Sequence, residues 1–285
     1  MRVVHRLEEL RAARAGWPAP LGLVPTMGAL HEGHLSLVRR ARGACASVAV
    51  SIFVNPTQFG PDEDLQAYPR DLERDLELLG PEGVDLVWAP EVEDLYPSGD
   101  QTWVTVEKLT RELEGKRRPG HFRGVATVAA KLFHAFEPQR AYFGQKDAQQ
   151  AVVIRRLARD LLFPIEIVVC PTVREADGLA LSSRNRFLSA DERKAATVLY
   201  RAMRAASAAF EAGEGDAERL RQAMREVLAR EPGARPHYVS AADVETLEEL
   251  DGIVECALLS MAVAIGKTTL IDNMIVGGER RASSS

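Results

Sequence analysis

Up to about residue 172 the chain alternates short apolar runs with amphipathic segments. Leu21–Thr26 (LGLVPT) reads as a strand, followed by a glycine-containing turn and a helix over His34–Arg42. Val48–Val54 (VAVSIFV) is nearly continuous in apolar residues, the pattern of a strand covered on both faces. A helix over Arg70–Leu79 leads to a run at Val84–Trp88, and Ala126–Phe136 leads to Ala141–Phe143. A further helix, Ala148–Leu161, precedes the run Ile165–Cys170. The N-terminal MRVVHRLEELRAARAGW reads as a strand and a helix, not as a signal peptide. This alternation predicts an α/β fold with a parallel sheet between two helical layers, doubly wound because such crossovers are right-handed.

After Pro171 the rhythm changes. Ser189-Ala-Asp-Glu192 is a capping-box pattern and opens a long helix over Ala190–Ala212, which stops at Gly213-Glu-Gly215. Asp216 caps a second helix reaching about Arg230, and three β-like runs follow at His237–Asp243, Val254–Ile265 and Thr269–Val276. Two helices and three strands with short connections predict a smaller α+β domain with an antiparallel sheet. The boundary is expected near residue 172, giving domains over 1–172 and 173–285. The tail Glu279–Ser285 reads as frayed, and no internal repeat is visible.

Composition narrows the function classes. A chain of 285 residues with 46% hydrophobic and 27% charged residues is globular, and its length suits about two domains. A formal charge of -5 argues against a nucleic-acid coat or a membrane-surface protein, yet leaves room for a basic pocket that takes a small polyanion. Only six basic residues are lysines, Lys146 among them. Cys45, Cys170 and Cys256 are far apart and form no CxxC pair, which fits a reducing cytoplasm without structural zinc. The longest apolar stretch, within CALLSMAVAIG, is about half of the ~20 residues that cross a bilayer.

Four clusters carry candidate chemistry. The first, Pro25-Thr-Met-Gly-Ala-Leu-His31-Glu-Gly-His34, lies where a strand hands over to a helix. A helix N-terminus offers partial positive charge and free N–H groups to phosphate, and imidazoles at i and i+3 share one face. The plainer reading is a pair of polar surface histidines; HEGH lacks the HExxH spacing of zinc proteases. The second, Asn55-Pro-Thr-Gln58-Phe-Gly60, places amides at a strand end to grip a hydroxylated substrate, or simply forms a turn. In the third, Phe143-Gly-Gln-Lys146-Asp147-Ala-Gln-Gln150, Gly144 allows close approach, Lys146 supplies a cation, and Asp147 accepts from ribose or caps the helix. The fourth, Val173 to Asn185, holds Ser182, Ser183 and Arg184 as donors for a triphosphate. Gly266-Lys267-Thr268-Thr269 imitates the end of a P-loop, but Met261 replaces its first glycine, and a hairpin turn is expected. Asp62–Asp64 reads as a solvated loop, and Asp71 and Asp75 are equally ordinary helix charges or candidates toward a Mg²⁺ partner, Asp75 being left outside the site set.

Taken in order, PTMGALHEGHLSLV, SIFVNPTQFG, YPRDLERDL, PGHFRGVATVAAKLF, FGQKDAQQ, VREADGLALSSRN and IGKTTLIDN resemble the pantothenate synthetase (pantoate–β-alanine ligase) family across nearly the whole chain. The resemblance implies a Rossmann-like nucleotide domain, a smaller C-terminal domain closing over the ATP site, and a cytoplasmic homodimer. It implies condensation of (R)-pantoate with β-alanine, ATP going to AMP and pyrophosphate through a non-covalent pantoyl adenylate. His31 to His34 resembles the HIGH signature of the nucleotidyltransferase superfamily, and Leu181-Ser-Ser-Arg184 its KMSKS-like counterpart. Leu181 stands where many members have Met.

The residue roles carried over are these. Met27, Gly28, Ala29, Leu30, His31, Glu32, Gly33 and His34 would contact ATP, with His34 donating a hydrogen bond or proton. Gly144, Gln145, Lys146 and Asp147 would hold ribose and phosphates, and the Val173 backbone would meet adenine. Leu181, Ser182, Ser183 and Arg184 would close over the phosphates, while Gln58 and Gln150 fix pantoate, with Gln58 also near β-alanine. His31, His34, Lys146 and Arg184 form the catalytic set. ATP enters with Mg²⁺, whose protein ligands stay unassigned, and no tightly bound organic cofactor, nucleic acid or membrane partner is implied. A different HIGH-type adenylyltransferase and an idle ATP-sensing module are the rival readings; the paired glutamines argue against the first and the intact charge set against the second.

Overall fold

The computed structural model describes residues 1–60, 65–66 and 68–278. Asp62–Asp64 and Glu279–Ser285 lie outside the described residues. The chain divides into two compact units, Met1–Gln145 with Gln149–Val173, and Lys146–Ala148 with the chain from Arg174 onward.

In the first unit, six strands form one sheet: β1 (Arg2–Val4), β2 (Leu21–Thr26), β3 (Ser47–Ile52), β4 (Leu86–Trp88), β5 (Arg140–Gly144) and β6 (Glu166–Cys170). Their order is β1-β4-β3-β2-β5-β6 and every pairing is parallel. Among the described residues seven α-helices accompany them: α1 (Leu7–Arg14), α2 (Glu32–Arg42), α3 (Leu72–Leu79), α4 (Val92–Leu95), α5 (Glu114–Arg117), α6 (His121–Phe136) and α7 (Ala148–Asp160). The uninterrupted apolar run of β3 has its reason here, since five of its six positions are buried. Helix α2 turns Leu35, Val38 and Ala41 onto Val24, Val48 and Val50. Each leucine or valine so buried contributes about 1.5–3 kcal/mol of transfer free energy.

Strand β2 stays in register with β3 through Thr26↔Ile52, but pairs with β5 only at Gly22↔Arg140 and Leu23↔Ala141. The two strands then part toward their carboxyl ends. Because the chain winds to opposite sides from β2, this is the switch point of the sheet, where open α/β folds receive ligands.

The second unit holds α8 (Ala190–Ala195), α9 (Val198–Glu211), α10 (Ala217–Ala229), and an antiparallel sheet β7 (Ala234–Ala242), β8 (Cys256–Ile265), β9 (Thr268–Gly277). Leu199, Met203, Leu220 and Met224 from the helices share a core with Leu259, Met261 and Val263 of β8. Gly266 and Lys267 form the β8–β9 hairpin turn, so the P-loop imitation is discarded. The single helix expected over 190–212 is instead two. Thr197 Oγ1 donates to the Lys194 carbonyl (2.8 Å), and Thr197 N bonds the same oxygen at 3.3 Å. That carbonyl is the one the next helical N–H would use, so the threonine interrupts the ladder without redirecting the chain.

Helix α6 also begins five residues earlier than its apolar periodicity suggests. Gly124, which weakens the helical pattern, lies where a Cβ would come within 2.5 Å of the Thr57 carbonyl oxygen. It marks a close approach of backbones and not a helix end.

Candidate active site

The loop from Thr26 to His34 leaves β2 beside the opening between β2 and β5. Gly28 (φ 78°) and Ala29 (φ 51°) are both left-handed, a turn that points successive N–H groups to one side. Those groups do not face solvent. Asp75, buried on α3, accepts Ala29 N on Oδ2 (3.0 Å) and Leu30 N on Oδ1 (2.8 Å). Gly28 N bonds Thr26 Oγ1 (3.2 Å), which itself donates to the Ser51 carbonyl (2.8 Å). Burial pushes the Asp75 carboxyl above the usual carboxylate range, and the two N–H bonds oppose that rise.

His31 is the N-cap of α2, its Nδ1 accepting Gly33 N (3.2 Å), while His34 Nδ1 accepts His31 N (3.3 Å). The ring centroids are 4.1 Å apart. An Nδ1 that accepts a backbone N–H carries no proton, so each neutral ring bears its hydrogen on Nε2 and is a donor there. The free-amide cradle expected at this helix start is filled in part: the amides of Gly28, Ala29, Leu30, His31 and Gly33 are accepted by Thr26, Asp75, His34 and His31, and the imidazoles add donors of their own.

Gln58 follows β3 in a 3₁₀ turn, Pro56–Gln58, and is 8% exposed. Its Oε1 accepts Asn55 Nδ2 (3.1 Å), its Nε2 donates to Met27 Sδ (3.0 Å), and its carbonyl accepts His121 Nδ1 (2.8 Å). Asn55 Nδ2 also donates to the Gly124 carbonyl (3.1 Å). With Nδ1–H donating, His121 Nε2 is left to accept Arg118 Nη1 at 3.0 Å. The Met27–Gln58 contact thus joins the first two sequence clusters in one unit. Tyr96 meets Thr57 Oγ1 through its hydroxyl (3.2 Å), and burial raises its pKa.

Gly144 and Gln145 stand at the end of β5, both partly buried. Of the neighbouring glutamines, Gln149 is structural: it donates to the Leu109 and Glu112 carbonyls and accepts Glu114 N. Gln150 is half-buried in the first turn of α7. Val173, half-buried, ends this unit.

In the second unit, Lys146, Ser182, Arg184, Asn185, Thr269 and Asp272 line a crevice of about 10 Å³. That is room for a water and not for a phosphoryl group, so any phosphate would meet these side chains at its mouth. Ser182 accepts Arg184 N (3.2 Å) and caps a 3₁₀ turn, Ser183–Phe187. Lys146 Nζ lies 3.7 Å from Asp147 Oδ1, and Asn273 Nδ2 holds the Lys146 carbonyl at 2.8 Å. Leu181 is half-buried beside them. Arg174 grips Asp272, one of the crevice residues, with both terminal guanidinium nitrogens (2.6 and 2.9 Å). Arg193 in turn holds Asp177 below the usual carboxylate range.

Sequence reasoning missed Asp75, His121, Arg118, Asp272 and Asn273 as parts of these arrangements. Asp75 is no ordinary helix charge; Asp71 is the N-cap of α3, accepting Arg74 N at 3.1 Å. A carboxylate on the inner face of α3, one turn after the cap, was the available signal. Among the described residues no cluster of three or more His, Cys, Asp or Glu could hold a metal ion. No helix there is long and apolar enough to cross a membrane.

Comparison with known proteins identifies the family. A family model described as Pantoate-beta-alanine ligase matches residues 2–275. Pantothenate synthetase of Herpetosiphon aurantiacus is 58% identical over 277 residues, 97% of this chain and 100% of that protein. The crystal structure of pantothenate synthetase from Thermus thermophilus superposes with a TM-score of 0.93 at 51% identity, covering 98% of this chain and 100% of that one. Pantoate-beta-alanine ligase of Francisella tularensis, complexed with Beta-gamma ATP and β-alanine, gives 0.79 at 34% identity, covering 96% and 97%. The chain belongs to the pantoate–β-alanine ligase family.

Proposed function

We propose that this chain condenses (R)-pantoate with β-alanine at the expense of ATP. A pantoate carboxylate oxygen attacks the α-phosphorus of MgATP, the bond to the bridging oxygen breaks, and pyrophosphate leaves. The β-alanine amine then attacks the acyl carbon of the pantoyl adenylate, forming the amide and releasing AMP. The observation that carries this reading is the His31–His34 pair, whose Nδ1 atoms each accept a backbone N–H, on the same unit as the amide of Gln58.

Attack of an anion on a polyphosphate needs charge stabilisation more than covalent help. The loop Met27–His34 binds ATP, His34 donating to a phosphoryl oxygen and His31 supporting it. Gly144, Gln145 and Asp147 serve ribose and phosphates, Lys146 is the main cation, and the Val173 backbone meets adenine. Leu181, Ser182, Ser183 and Arg184 close over the phosphates, the role the family resemblance implies. Gln58 and Gln150 bind the hydroxyls of pantoate, and Gln58 lies near β-alanine. The second step has a good leaving group, so positioning supplies most of its rate. Mg²⁺ enters as part of the substrate, held largely by phosphates and water. The enzyme works in the cytoplasm as a homodimer, with no tightly bound organic cofactor.

The test is pyrophosphate and AMP release from MgATP. Stoichiometric pyrophosphate with pantoate alone, turning to steady turnover with AMP once β-alanine is added, is expected. Absence of pantoate-dependent pyrophosphate under every condition would overturn the reading and favour another adenylyltransferase.

A further inference from the structure

We infer that Asp75 is a positioning residue for the nucleotide loop, an internal anion occupying the seat that successive left-handed residues otherwise offer to a phosphate. Gly28 and Ala29 turn the amides of Ala29 and Leu30 to the same side, the geometry that gathers an anion. Both amides end on the two oxygens of one carboxylate. The fit is close on every side. A Cβ on Gly28 would lie 2.8 Å from Asp75 Oδ2 and 3.2 Å from Ile52 Cγ2, so a side chain there would collide with the carboxylate and with β3. Asp75 comes from α3, some forty-five residues away along the chain, and its side chain is buried. The bond is thus a tertiary constraint, and it acts on the residues leading directly into the His31 cap.

The consequence is a division of labour. With the amides of Gly28, Ala29, Leu30, His31 and Gly33 satisfied internally, phosphate recognition on this loop falls chiefly to the imidazoles, whose placement depends on the Ala29–His31 backbone that Asp75 holds. Both carboxylate oxygens are committed to the loop amides, and an anion repels the phosphates of ATP, so its presence is explained by the loop shape it imposes.

This inference rests on the ligase reading for its kinetic test but not for its structural one. In the wild-type protein without substrate, hydrogen exchange should show the Ala29 and Leu30 amides already protected, with little gain on adding MgATP. Fast exchange that slows only with MgATP would make phosphate their acceptor and overturn the inference, whatever reaction is catalysed. In Asp75→Asn, nearly isosteric, one N–H faces an NH₂ group, and the KM for MgATP should rise by about tenfold or more while that for β-alanine stays put. An unchanged KM for MgATP in the folded variant, or an equal rise for every substrate, would count against a positioning role. Failure of the ligase reading itself would show separately, as no pantoate-dependent pyrophosphate from the wild type.

Discussion

His34 accepts the backbone N–H of His31 on Nδ1 at 3.3 Å, so one imidazole serves both as a helix cap and as a donor through Nε2. The two duties are separable. In His34→Asn the side-chain oxygen can occupy the Nδ1 position and keep the cap, whereas nothing replaces Nε2–H. Thermal unfolding should match the wild type, with pantoate-dependent pyrophosphate release falling by about a hundredfold or more. His34→Ala should lose the same activity and a further ~1 kcal/mol of stability. Equal stability in the two variants would deny the capping half of the finding.

Gly124 decides the position of Gln58. Its missing side chain admits the Thr57 carbonyl, and its own carbonyl receives Asn55 Nδ2. Gly124→Ala should displace the 3₁₀ turn, cost about 1–3 kcal/mol, and raise the KM for pantoate more than that for MgATP. Gln150→Ala should raise the pantoate KM without loss of stability. Gln149→Ala should do the reverse, because Gln149 closes three backbone bonds.

Arg174 and Asp272 form a pair in which the Asp272 side chain is 2% exposed and Arg174 18%. The guanidinium also reaches the Gly178 carbonyl and lies 4.8 Å from the Tyr200 ring centre. Arg174→Met would strand a buried carboxylate, and chemical denaturation should report a loss of about 3–5 kcal/mol. Arg174→Met with Asp272→Asn should recover part of that loss.

Two aspartates give the pH dependence opposite signs. Asp177, held below the usual range first by its bond to Arg193, adds stability that is present above the unfolded carboxylate range and lost as pH falls through the folded value. Asp75, raised first by burial, binds its proton more tightly folded than unfolded. Its contribution is full below the unfolded range and lost as pH rises through the folded value. Asp177→Asn should flatten the acid limb of the stability curve. Asp75→Asn should gain relative to wild type as pH rises from acid toward neutral, even while its use of MgATP worsens. A parallel pH curve for either variant would contradict the sign assigned to it.

The strands at Leu21–Thr26 and around Val48, the parallel sheet, the three-stranded C-terminal sheet and the histidine pair were legible because each is a local pattern. Periodicity of two or 3.6 and an apolar run report which faces are covered, and that fixes element type. The two-helix break at Thr197 was not legible, since it turns on which carbonyl a hydroxyl reaches. The family resemblance supplied the site residues; their chemical partners it did not supply.

Local pattern along the chain thus accounts for the alternation of elements, the glycine-bearing turns and the chemical types gathered at strand ends. Folding in three dimensions is what sets Asp75 against the Ala29 and Leu30 amides, His121 against the Gln58 carbonyl, and Asn273 against the Lys146 carbonyl. Those pairs lie tens of residues apart or more, and a buried polar group takes whichever partner packing brings within about 3 Å. Residue type announces the need for a partner; the fold supplies it.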